Sequence, residues 1–72
     1  MATIYVYLLN EGTDSWRPSN AVQVGPKTYR LEPDKYDPED EEWEFTPGTI
    51  VECEPKMFQS GETALVAVRL AG

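Results

Sequence analysis

Seventy-two residues suffice for one small domain, and the composition combines 40% hydrophobic residues, eight aromatic side chains and a net charge of −7. Aromatic content at this level argues against a disordered chain, and the length limits the core to about a dozen side chains. The acidic balance argues against direct nucleic-acid binding, which needs clustered Lys or Arg against phosphate.

Thr3 to Leu9 is β-branched and aromatic almost throughout and predicts a strand. Ile4, Val6 and Leu8 fall on one face, with Tyr5, Tyr7 and Leu9 on the other. Either both faces are buried, or the tyrosines line a binding surface. The turn residues Asn10-Glu11-Gly12-Thr13-Asp14 end this segment. Trp16 to Val24 predicts a second strand, in which Pro18, unable to donate a ladder hydrogen bond, marks an edge, a bulge or the strand start. Gly25-Pro26-Lys27 then closes a hairpin onto a short third strand, Thr28 to Leu31.

Residues 32–42 form an acidic excursion with two prolines, Pro33 and Pro38. A single helical turn after Pro38 fits, because proline suits the first helical position and acids suit the first turn. Trp43-Glu44-Phe45 returns the chain to the core and Pro47-Gly48 makes a further turn. Thr49 to Glu54 predicts a strand with Val51 and Cys53 on one face and Glu52 and Glu54 on the other. After the turn Gln59-Ser60-Gly61-Glu62, a last strand puts Ala64, Val66, Val68 and Leu70 on one side. Arg69 points the other way, across from Glu52 or Glu54. Five short strands without repeat or internal boundary predict an all-β single domain over residues 1–72, a small barrel or sandwich with one acidic loop.

The segments Trp16-Arg17-Pro18, Tyr29-Arg30 and Asp40-Glu41-Glu42-Trp43-Glu44-Phe45-x-Pro47-Gly48-x-x-Val51-x-Cys53-Glu54 carry a family likeness. In them the chain resembles a group of small uncharacterised bacterial proteins with an SH3-like barrel. The likeness covers most of the chain and is most specific in the acidic-Trp-x-Phe-x-Pro-Gly block. It implies a five-stranded SH3-like barrel and assigns no activity and no residue roles. The Ala-Leu-Tyr-Asp-Tyr signature of peptide-binding SH3 domains is absent.

Charge is concentrated. Residues 31–56 hold ten acids and two bases, a net −8, whereas residues 1–30 hold two acids and three bases, a net +1. Asp37 to Glu44 alone carries six carboxylates in eight residues. Such a run is either a solvated loop that aids solubility or a docking surface for a basic partner. An extended chain rises about 3.3 Å per residue, close to the roughly 3.4 Å per nucleotide of one DNA strand, so the run also matches the charge spacing of a phosphate backbone. The spacing that wraps carboxylates around calcium is missing, and with no His and one Cys a transition-metal site is not expected. No metal or other cofactor is implied.

Tyr36 and Trp43 bracket the acidic run, and Trp16 follows the first turn. If the three meet at one barrel rim they form a patch for Lys or Arg side chains; otherwise each tryptophan packs in the core. Arg17 and Arg30 are expected to pair with the protein's own carboxylates. Cys53, between two glutamates, reads as a buried small hydrophobe, since flanking negative charge raises a thiol pKa.

Catalysis is not expected. The chain has no His, no nucleophile elbow and no phosphate loop, and its size argues against a cleft of about 300 Å³ or more. A lone Cys forms no intrachain disulfide, the N-terminal residues do not read as a signal peptide, and the longest apolar run, Ile4 to Leu9, is too short to span a bilayer. Cytoplasmic location is the expectation. The favoured function is a non-catalytic protein-binding module, a regulatory or inhibitor subunit, which meets a basic protein surface through Trp16, Tyr36, Asp37, Glu39, Asp40, Glu41, Glu42 and Trp43. Its rivals are a phage-type nucleic-acid mimic that inhibits a DNA-binding complex, and a structural homodimer paired by a strand edge.

Overall fold

A computed structural model of the protein describes residues 2–12, 15–32 and 42–71. Six strands make up its regular structure: β1 (Ala2–Leu9), β2 (Trp16–Gln23), β3 (Thr28–Leu31), β4 (Glu42–Trp43), β5 (Ile50–Met57) and β6 (Thr63–Leu70). Among the described residues there is no helix. The helical turn expected after Pro38 lies outside them.

Five of the strands close into a ring in the order β1-β2-β3-β5-β6. Each of its four successive pairings, from β1/β2 to β5/β6, is antiparallel. An even number of reversals returns the last strand in the direction of the first, so β6 meets β1 in parallel, with Tyr5 opposite Val66. Closure pairs edges that an open sheet would leave exposed. β4 lies outside the ring and pairs with the end of β1, Trp43 opposite Leu8 and Glu42 opposite Leu9.

Inward-facing residues from all six strands fill the ring: Ile4, Val6 and Leu8 from β1, Ala21, Leu31, Trp43, Val51, Cys53 and Ala67. Tyr29, Phe45 and Leu65 pack at its margin. Ile4, Val6, Leu31 and Val51 are wholly buried, and each such side chain contributes about 1.5–3 kcal/mol of transfer free energy. The period-2 alternation of β1 therefore sends Ile4, Val6 and Leu8 inside and leaves Tyr5 and Tyr7 outside.

Both strand prolines sit where one side of the strand carries no partner. Pro18 lies in the half of β2 that pairs with β1 but not with β3, whose pairing begins at Ala21. Pro55 lies beyond Glu52, the last residue of β5 paired with β3. Freed there from the need for a second ladder, β5 runs on to Met57, three residues past the expected end at Glu54.

The last strand departs from its expected alternation. Glu52 pairs with Arg69 but Cys53 pairs with Ala67, so Val68 is an extra residue opposite the step between them. This bulge turns the strand over. N-terminal to it, Ala67 faces inward with Cys53, and Val66 faces outward with Tyr5. C-terminal to it, Arg69 faces outward and reaches Glu52 at 2.7 Å and Glu54 at 3.3 Å. Ala64, Val66, Val68 and Leu70 therefore do not form one buried face; Val68 and Leu70 are exposed.

Candidate partner-binding site

Cross-strand neighbours share a face. Tyr7 lies opposite Trp16, and Tyr5 lies opposite Pro18 on one side and Val66 on the other. The outer surface of β1 and its neighbours thus collects large side chains that the full ring interior does not take. Val66 is buried there although it points away from the core.

The β5–β6 hairpin supplies the cover. Phe58 donates its N–H to the Glu62 carbonyl at 2.8 Å and accepts from the Gly61 N–H at 2.9 Å. Gly61 has φ of 89°, a left-handed conformation that side-chain-bearing residues resist. The tight turn folds Phe58 over the sheet, its ring centroid 5.6 Å from Tyr5 and 5.8 Å from Trp16. Tyr7 completes the row at 5.1 Å from Trp16. Phe58 meets Trp16 at 80° and Tyr7 meets Trp16 at 69°, edge to face as their quadrupoles prefer, while Phe58 and Tyr5 are tilted at 57°. The Lys56 ammonium lies 5.9 Å from the centre of the Trp16 ring, within cation–π range.

Two open grooves share Trp16, Phe58 and Ser60. The larger, about 820 Å³, runs from Gly12 past Lys56 and Met57 to Gln59. The smaller, about 300 Å³, is completed by Tyr5, Glu62 and Ala64. Met57 is 71% exposed beside the first. A chain of this size was expected to leave little room for such a space; the space exists because it lies on the outside of the barrel, between the hairpin and the sheet, rather than within the filled ring.

The acidic run ends beside this surface. Glu44 donates its N–H to the Tyr7 carbonyl at 2.9 Å, and Glu42 accepts a hydrogen bond from the Asn10 side chain. Trp43 between them is 4% exposed and seated in the core. Tyr7 therefore joins the two features, its carbonyl holding Glu44 and its ring packing on Trp16.

Of the residues singled out from the sequence, Trp16 lies within the aromatic row and Glu42 is exposed on β4. Trp43 does not join Trp16 at a rim. Their β1 partners, Leu8 and Tyr7, are consecutive and so face opposite ways. Tyr36, Asp37, Glu39, Asp40 and Glu41 lie outside the described residues. Arg30 pairs with Glu32 at 3.4 Å.

Phe58, Lys56 and Met57 escaped the sequence reading. Their signal was three bulky side chains placed directly before the Gln59-Ser60-Gly61 turn, a position at which a hairpin can fold over its own sheet.

Cys53 is a free, buried cysteine whose thiol pKa is pushed up to about 11, chiefly by burial and further by the Glu52 carboxylate. A thiolate nucleophile is disfavoured there. Among the described residues, no group of three or more His, Cys, Asp or Glu side chains is placed to hold a metal ion, and no helix is long and apolar enough to cross a membrane.

No protein-family model, curated protein or solved structure significantly matches the chain.

Proposed function

We propose that this protein is a non-catalytic binding module of the SH3-like barrel type that recognises a basic protein surface. The observation that carries the reading is the row Tyr7–Trp16–Phe58–Tyr5 beside two open grooves, with the end of the acidic run held against Tyr7. The four rings are half-buried, so each keeps part of its surface open to a partner, and aromatic anchors dominate binding energy at interfaces. In this reading Trp16 with its neighbouring rings makes the contact, Asp37, Glu39, Asp40, Glu41 and Glu42 supply the charge that attracts the partner, and a cytoplasmic regulatory or inhibitory role fits this design.

Ring closure favours a monomer over the edge-paired homodimer, because the barrel strands already have partners on both sides over part of their length. The aromatic row favours a protein partner over pure nucleic-acid mimicry, which needs carboxylates but no apolar anchor. Titration against a panel of Lys- and Arg-rich peptides, with and without interspersed apolar residues, separates these readings. Binding is expected to weaken in high salt, in the Asp40→Asn/Glu41→Gln/Glu42→Gln variant and in Trp16→Leu. Affinity indifferent to all three changes would overturn the proposal. Loss with the acid variant alone, coupled to displacement of DNA from a captured DNA-binding protein, would favour mimicry.

A further inference from the structure

Resting on that reading, we propose that the smaller groove receives one cationic side chain of the partner, a Lys ammonium or Arg guanidinium. Tyr5, Trp16, Phe58 and Glu62 line this groove. Phe58 tilts 57° to Tyr5 and 80° to Trp16, so the three rings that line the groove are not coplanar. Ring faces carry negative potential and attract cations. Glu62 adds a full negative charge at the edge, and among the described residues it makes no ion pair. The groove has no Lys or Arg in its wall; Lys56 lines the larger one instead.

The chain already contains a precedent for this chemistry, the Lys56 ammonium 5.9 Å from the Trp16 ring centre. Charge selects the occupant. An anion would meet Glu62 and the field of a chain with net charge −7. A purely apolar side chain would cover the Glu62 carboxylate without pairing it, at the cost of its hydration. A cation on an alkyl stem satisfies both, since the stem packs on the rings while the head faces the carboxylate. A volume of about 300 Å³ accommodates such a side chain.

The test is NMR titration of the full chain with three short peptides that differ at one central residue: Lys, Arg or the neutral isostere norleucine. The Lys and Arg peptides are expected to shift the Trp16 indole N–H and the amides of Ser60 and Glu62 saturably, with the norleucine peptide about tenfold weaker, the effect of losing one charge-assisted contact. Glu62→Gln, which preserves shape, is expected to remove that preference while the remaining amide spectrum stays unchanged. Phe58→Leu is expected to weaken all three peptides. Equal binding of norleucine and Lys, or shifts confined to Gly12, Lys56 and Gln59 of the larger groove, would overturn the assignment. Should Glu62→Gln leave the Lys preference intact while the acid-run variant abolishes it, the module reading stands and this groove is not its cation site.

Discussion

Cys53 is 3% exposed between Glu52 and Glu54 on a strand whose inward face is otherwise aliphatic. Its folded-state pKa of about 11 stands above the ordinary 9.0 because burial disfavours the thiolate. The folded state thus holds its proton in a window where the unfolded chain has released it. Stability falls wherever the native state binds more protons, so it declines as pH rises from about 9 to about 11. The loss is on the order of 2 kcal/mol. Urea midpoints measured across that range should drop for the wild type and drop less for Cys53→Ala, although the variant starts lower because of the cavity it leaves. Parallel declines would assign the alkaline loss to other groups. The two tryptophans differ just as sharply. Trp43→Ala removes a core side chain at a cost of about 3–5 kcal/mol, comparable to the whole stability of a domain this small. It should abolish the cooperative thermal transition seen by circular dichroism. Trp16→Leu should retain that transition and lose binding.

The β5–β6 hairpin makes the proposed site, and its turn is its most sensitive point. Gly61→Ala places a side chain at φ of 89°, a strain of about 1–2 kcal/mol. The expected outcome is a modest fall in the denaturation midpoint with a larger relative loss of binding, because Phe58 hangs from the same turn. Equal losses in both would mean that the hairpin and barrel behave as one rigid unit. How far these elements were legible depends on the range of the interactions that set them. Strands β1, β2, β3 and β5, and the inward set of β1, follow from local alternation and turn chemistry, and all could be read from the chain. Val68 could not, because a bulge is a decision about register between two strands, and hydrophobic residues at positions 64, 66, 68 and 70 mimic an unbroken alternation. β4 has two residues, too few for any period, and exists because Trp43 is drawn into the core. Of the site, the tyrosines of β1 and Trp16 were visible as candidates, whereas Phe58 required knowing that the hairpin folds back across the sheet.

At the scale of the molecule, attraction and holding belong to different parts. Residues 31–56 carry a net −8 and so generate the field that the proposed basic partner would meet at a distance. Long-range fields raise association rates and are screened over about 10 Å at moderate salt. In the proposed complex the aromatic row and its grooves act only at contact, where packed rings and a desolvated cation would govern how long the complex survives. The two parts should therefore separate kinetically. In stopped-flow measurements with a Lys-containing peptide, neutralising Asp40, Glu41 and Glu42 should slow association severalfold, weaken its salt dependence and leave dissociation nearly unchanged. Phe58→Leu and Glu62→Gln should do the reverse, speeding dissociation about tenfold while association keeps its salt dependence. A variant set in which both groups alter only association would reduce the aromatic row to scaffold. One in which both alter only dissociation would place the acidic run within the contact itself, as a partner-gripping element rather than a steering field.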